Sequence, residues 1–236
     1  IKGNKMNKET IHVFDAYGTL FDIDSACRNL EKELGSDWNK LSTIWRQKQL
    51  EYSWLRNSMN KYISFWEITK NALDYAMKVL EIKNKNIKIK LLDLYFKIES
   101  YKEVYKFLTK LKKLNYKTCI LSNGSLDMLN AAIKNSNLEK IIDKVISVEK
   151  CKRFKPSKEV YKLIIDEFNV KKEEVIFFSS NSWDIHGASN FGLKTVWVNR
   201  QKKTDDYLPG MANYEVRSLE QFYINYLKEQ NLQLEI

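Results

Sequence analysis

Four short segments of this chain carry residue types that could do chemistry together. "IHVFDAYGTLFD" (11–22) runs from an apolar stretch into a lone aspartate, Asp15, with Thr19 four residues on. "KTCILSN" ends on Ser122 and Asn123. "CKRFKPSKEVY" contains Lys155 and Tyr161, and "FFSSNSWD" contains Ser179, Asn181, Trp183 and Asp184. A carboxylate can be a nucleophile or a base, and an ammonium beside it keeps it charged and oriented. Each residue alone has a plainer explanation, because Asp and Asn after an apolar run are ordinary turn and cap residues. Four such segments, offering both a carboxylate and an amine, point to one shared site. Tyr17 sharpens the question: it stands two residues after Asp15, where a second acid could donate a proton. A phenol with a pKa of about 10 cannot do that near neutrality.

Such a site needs a scaffold that brings the segments to one edge. "IHVFDAY", "KTCILSN", "KVISV", "EVIFFSS" and "KTVWVNR" are short apolar runs without a helical face and read as buried strands. Between them, "KEVYKFLTKLKKL", "LDMLNAAIKN", "SKEVYKLIIDEF" and "SWDIHGASNFG" have helical spacing, with Ser157 a natural N-cap after Pro156 and Gly192 a natural stop. Strands alternating with helices imply an α/β fold, a Rossmann-like parallel sheet covered by helices, and ligands bind such sheets at the carboxyl ends of the strands. That edge is where the polar residues fall. From Ile23 to Ser100 the pattern is helical only. Leu41, Ile44, Trp45, Lys48, Tyr52 and Leu55 recur at steps of three and four, as do Phe65, Ile68, Leu73, Ala76 and Leu80. The expected organisation is therefore a core of residues 1–22 and 101–236 with an inserted helical cap of residues 23–100. The tail after Arg200 should add a last strand and helix.

Composition narrows the function class. The chain has 236 residues, 44% of them hydrophobic, which suits a folded domain. Its formal charge of +10 comes almost wholly from lysine. The basic run "KNKNIKIK" lacks interleaved aromatics and arginine is scarce, so a solvated lysine surface is the reading over weak nonspecific nucleic-acid binding. Cys27, Cys119 and Cys151 form no metal or redox spacing and are expected to be buried thiols in a reducing compartment. His12 and His186 have no nucleophile motif near them and read as structural or exposed. The N-terminal apolar run is cut at Asp15, and none approaches the ~18 apolar residues of a membrane span. A cytoplasmic, soluble protein is expected.

"FDAYGTLFD", "LSNGS", "CKRFKPSKEVY" and "SSNSWD" resemble the four signature segments of the haloacid dehalogenase superfamily, in order and with compatible spacing. "WRQKQLEYSWLR" and "FFSSNSWDIHGASNFG" are similar, more specifically, to the L-2-haloacid dehalogenase family. The likeness runs from about Val13 to Arg200. Superfamily phosphatases place a second aspartate where Tyr17 stands and hold Mg²⁺ with further acids that this chain lacks. The resemblance therefore implies a nucleophile kept and phosphoryl-transfer equipment lost. A halide leaving group needs no proton, so the missing acid is no handicap.

The resemblance implies an (S)-2-haloacid dehalogenase needing no cofactor or metal, with a covalent ester on Asp15. It implies that Lys155 orients Asp15, that Asn181 and Asp184 handle the hydrolytic water, and that Ser179 and Tyr161 support them. Arg46 and Asn123 would take the halide, Ser122 and the backbone near Thr19 the substrate carboxylate, and Phe65 and Trp183 would wall the reacting carbon. Arg46 and Lys155 supply +2 against −2 from Asp15 and Asp184, a neutral site that suits a monoanionic haloacid better than a phosphate dianion. The expected partners are the substrate and its halide, with no nucleic acid or membrane. A homodimer through the cap is implied, although the faces around Trp45, Trp54 and Trp66 fit burial equally well. The alternatives are a phosphatase of the same superfamily and a non-catalytic binding protein on the same scaffold.

Overall fold

The computed structural model describes residues 10–229. Its strands are β1 (Ile11–Phe14), β2 (Lys117–Ser122), β3 (Lys144–Ser147), β4 (Val175–Ser179), β5 (Lys194–Val198) and β6 (Tyr214–Val216). They form one six-stranded sheet in the order β3-β2-β1-β4-β5-β6, and every pairing is parallel. All of β1 and β4 is buried, which explains why these runs are mostly apolar and do not alternate. Phe14 lies level with Ile120 on one side and Phe178 on the other. The register thus sends Asp15, Ser122 and Ser179 out of the same edge.

Between β1 and β2 the chain forms α1 (Ser25–Arg28), α2 (Glu31–Leu34), α3 (Trp38–Ser58), α4 (Phe65–Val79) and α5 (Lys85–Phe96), then α6 (Val104–Lys113). It leaves and re-enters the sheet layer through paired backbone: Asp22 N–H donates to Glu99 at 2.8 Å and Tyr101 N–H to Leu20 at 3.0 Å. The later helices are α7 (Leu126–Asn135), α8 (Lys158–Phe168), α9 (Ser182–Phe191) and α10 (Leu219–Glu229). Ser64 caps α4 by accepting from Glu67 N–H, Ser125 caps α7 through Met128 N–H, and Gly192 ends α9 at φ +101°.

Several local expectations change. Ser157 sits at the start of α8, but its hydroxyl accepts from Asn57 Nδ2 at 2.6 Å in place of capping the helix. Leu80 lies just past the end of α4. On α3 the packed stripe is Leu41, Ser42, Trp45, Gln49 and Ser53, while Leu55 is exposed. Polar residues can occupy that stripe because each has a partner: Ser42 donates to Asp24, Gln49 to Thr69 and Tyr95, and Ser53 to the Leu50 carbonyl. Trp45 is buried with its indole N–H on the Thr69 carbonyl, Trp66 packs edge-on to Phe96, and Trp54 is partly exposed. Cys27 and Cys119 are buried, whereas Cys151 is only half-buried. Burial pushes the Cys27 thiol up to about 12, away from thiolate chemistry.

Candidate active site

Asp15 follows β1 immediately, and its N–H still donates to the Phe178 carbonyl at 2.9 Å, so the strand ladder fixes its backbone. The residue is only 5% exposed. Lys155 Nζ donates to Asp15 Oδ1 at 3.0 Å and to Asp184 Oδ2 at 2.9 Å, with the lysine fully buried. Thr19 Oγ1 and Asn181 Nδ2 both donate to the other oxygen, Oδ2, at 2.9 and 3.0 Å. Thr19 can donate because its oxygen already accepts from Ser180 N–H at 2.8 Å, which turns the hydroxyl proton toward Asp15. Oδ2 therefore has both lone pairs engaged, whereas Oδ1 meets one donor.

Asp184 lies in the first turn of α9, fully buried, and accepts from Tyr161 Oη at 2.7 Å as well as from Lys155. Two carboxylates share one ammonium here, leaving a local charge of −1. Burial pushes the Asp184 carboxyl up, Asp15 adds to that, and Lys155 and Tyr161 oppose it without cancelling it. For Lys155 burial works against the charge, but the two carboxylates outweigh it and raise its pKa above the ordinary lysine value. Tyr161 is a firmly neutral phenol, raised by burial and by Asp184. Gly187 has to be small: a Cβ there would fall 2.5 Å from Tyr161 Oη. Ser179 accepts from Asn181 N–H at 3.1 Å, shaping the turn from β4 into α9.

The cap contributes Arg46 from the middle of α3. Its Nη2 donates to the Tyr17 carbonyl at 3.2 Å and its Nη1 to Gln49 Oε1 at 2.8 Å. It has no carboxylate partner among the described residues, so it brings the missing positive charge. The Tyr17 carbonyl also accepts from Asn181 at 3.4 Å, which links the cap cation to the group holding Asp15. The Tyr17 ring is buried, stacked 5.6 Å from Tyr95, and its hydroxyl has no hydrogen-bond partner. Burial raises its pKa well above that of a free phenol, and Tyr95 adds to the effect. Gly124 makes room for it, since a Cβ there would lie 2.8 Å from the ring.

The remaining predicted residues line up around this centre. Asn123 Oδ1 accepts from Lys155 N–H at 3.0 Å, so its amide N–H₂ takes no part in that bond. Ser122 Oγ accepts from Gly124 N–H at 3.1 Å and can donate elsewhere. Phe65 is buried, with its ring 6.2 Å from Tyr17 and 6.1 Å from Phe154. Trp183 has no hydrogen bond to the charged cluster; its ring meets Trp54 edge-on at 5.3 Å and lines a groove with Pro156 and Leu208, at the seam between α9 and α3. His12 is buried against Tyr116 and Phe178, and His186 bonds the Pro209 carbonyl and Asp205. Sequence reasoning missed Gln49, Tyr95 and Arg200. For Gln49 a signal existed: Ser42, Arg46, Gln49, Ser53 and Asn57 repeat at helical steps and make a polar stripe along α3.

The arrangement can hold an ionised nucleophile away from water beside donors for a small anion. Its donor set is poor for Mg²⁺, because an ammonium already fills the position between the two carboxylates.

Known proteins place this geometry. Residues 11–192 match the model of the haloacid dehalogenase-like hydrolases. "(S)-2-haloacid dehalogenase 4A" of Burkholderia cepacia is 40% identical over 89% of this chain and 92% of its own. "(S)-2-haloacid dehalogenase 1" of Pseudomonas sp. (strain CBS-3) is 40% identical over 88% and 92%. The solved L-2-haloacid dehalogenase from Xanthobacter autotrophicus superposes with a TM-score of 0.85 at 32% identity, covering 94% of this chain and 98% of that one. By this family match and these relatives, the chain belongs to the L-2-haloacid dehalogenase family of the haloacid dehalogenase-like hydrolases.

Proposed function

We propose that this protein is an (S)-2-haloacid dehalogenase, converting short L-2-haloalkanoic acids to D-2-hydroxy acids with inversion and without metal or cofactor. One observation carries the reading: a buried Asp15 held by Lys155, Thr19 and Asn181, with a tyrosine where a phosphatase would keep its second acid. Asp15 Oδ1 attacks Cα opposite the halogen. The new O–C bond forms as the C–halogen bond breaks, and the halide leaves with the bonding pair toward Arg46 and Asn123. Ser122 and backbone N–H groups near Thr19 hold the substrate carboxylate, and Phe65 lines the apolar side.

The product of this step is an ester on Asp15. Water then attacks the Asp15 carbonyl carbon, and the negative charge gathers on Oδ2, where Thr19 and Asn181 donate. Asp184, whose carboxyl burial pushes up, takes the proton from water and returns it to the leaving alkoxide. The hydroxy acid departs and Asp15 is regenerated with an oxygen from water. The protein works on small anions, not on nucleic acid or a membrane surface, and no described helix is long and apolar enough to cross a bilayer. It acts in the cytoplasm as a homodimer joined through its cap, an arrangement consistent with the exposed Trp54, Leu55 and Met59 on or just after α3.

The test is halide release from separate L- and D-2-chloropropionate with EDTA present, beside p-nitrophenyl phosphate hydrolysis with Mg²⁺. Chloride from the L form alone, indifferent to EDTA, is the expected result. Silence on both enantiomers with Mg²⁺-dependent phosphate release would overturn the reading.

A further inference from the structure

We propose that Arg200 is a positioning residue for the ester-hydrolysis half of the reaction, holding both donors to Asp15 Oδ2 in register. This rests on the dehalogenase reading above. Arg200 lies just past β5 and touches no charged member of the site. Its Nη1 donates to Ser180 Oγ at 2.8 Å and to the Gly18 carbonyl at 3.3 Å, and its Nη2 to the Thr19 carbonyl at 2.9 Å. Glu103 takes Nε at 2.9 Å and Nη2 at 2.7 Å, and the guanidinium lies 4.1 Å from the centre of the Tyr101 ring. Every donor of the fork is engaged, so none remains for a substrate anion.

What the fork spans is specific. Gly18 and Thr19 belong to the loop leaving β1, and Ser180 to the loop leaving β4. Thr19 is one donor to Oδ2, and Asn181, the other, is the residue after Ser180. Thr19 and Asn181 lie beyond the β1–β4 pairing; the Ser180 N–H to Thr19 bond, the Asn181 bond to the Tyr17 carbonyl and the Arg200 fork link their loops. Lysine could not replace the fork, since a point charge cannot meet three acceptors from two loops in one plane. Glu103 and Tyr101 stand where the chain returns from the cap, so the brace is anchored at that junction.

The two chemical steps use different oxygens. Attack by Oδ1 depends on Lys155, which Arg200 does not touch. Hydrolysis depends on charge stabilised at Oδ2, which Arg200 controls through both loops. Loosening the fork should therefore slow hydrolysis and spare alkylation.

The experiment is rapid-quench turnover of L-2-chloropropionate by the full chain and its Arg200→Lys, Arg200→Ala and Glu103→Gln variants. Chloride is measured alongside the fraction of the Asp15 peptide carrying the ester mass. For Arg200→Lys we expect a stoichiometric chloride burst, accumulated ester and hydrolysis slowed about 10- to 100-fold. Because kcat/KM reports alkylation alone, it should stay within about twofold while kcat falls. Guanidinium ion added to Arg200→Ala should recover part of the hydrolysis rate, and Glu103→Gln should show a smaller slowing of the same step. Arg200→Lys and Glu103→Gln keep the test decisive if Arg200→Ala does not fold. Equal loss in both steps, or no trapped ester, would overturn the role of Arg200 with the dehalogenase reading intact. A wild-type protein that releases no halide would instead sink that reading and this inference together.

Discussion

The sheet edge and the cap face the same site with opposite chemistry. On the sheet side, Asp15, Lys155, Asp184 and Tyr161 are buried and bonded to one another, and the group carries a net −1. On the cap side, Arg46 has no carboxylate partner among the described residues and donates to Gln49 Oε1 and the Tyr17 carbonyl. The sheet side spends its hydrogen bonds on itself and is preorganised. The cap side keeps an uncompensated cation for whatever anion arrives. Mutations on the sheet side should therefore cost both activity and stability, and those on the cap side activity alone.

The largest effect tests the nucleophile. Asp15→Asn should abolish halide release, since a neutral amide cannot attack carbon; Asp15→Ala should do the same and remain folded by circular dichroism. Substantial halide release by Asp15→Ala would end the nucleophile assignment. Lys155→Met comes next and probes the sheet side directly. It leaves Asp15 and Asp184 without their shared ammonium, and breaking such a buried pair costs roughly 3–5 kcal/mol. Chemical denaturation should show that loss together with collapse of turnover; an unchanged unfolding midpoint would refute the contrast between sheet side and cap side.

Arg46→Ala probes the other side. Loss of an anion-stabilising donor should lower kcat by about 10²–10³-fold. The melting temperature should barely move, because Arg46 has no buried carboxylate to leave stranded. Near-normal turnover would remove Arg46 from the halide role, and a large drop in melting temperature would show that the cap side is as integral as the sheet side. Gln49→Leu should have a milder effect, about tenfold on kcat/KM, by freeing Arg46 from its bracket.

The smallest effect on activity lies beneath the site. Burial lowers His12 from 6.5 to about 4, so the folded protein keeps it neutral between these values while the unfolded chain protonates it. Its contribution is fully present above about pH 6.5, declines as the pH falls toward 4, and amounts to ~3 kcal/mol at most. Denaturation measured across this window should show a slope that His12→Phe flattens, with turnover at neutral pH unaffected.

The sheet side was legible because its residues end short apolar runs, a local feature that period and turn chemistry reveal. The alternation of strands with helices did the rest, since a parallel sheet brings strand ends to one edge whatever the intervening lengths. On the cap side the residues' spacing showed only helix, and Arg46 and Phe65 stood out through the family resemblance alone. Apolar spacing on α3 suggested a face through Lys48, Tyr52 and Leu55, and burial of Ser42, Gln49 and Ser53 moved it. Trp183 was expected beside the reacting carbon; that its ring meets Trp54 across the seam between α9 and α3 was not legible in the sequence.

By itself, then, the sequence marked Asp15, Lys155, the tyrosine at position 17 and the parallel α/β scaffold, because each is written in a short local segment. Only the tertiary structure decided which oxygen of Asp15 meets a single donor, that Arg46 has no carboxylate partner among the described residues, and that Arg200 bonds two loops. Those are relations between segments up to 182 positions apart, as between Gly18 and Arg200. No local propensity encodes them; they arise when parallel strands bring distant loops within hydrogen-bonding distance.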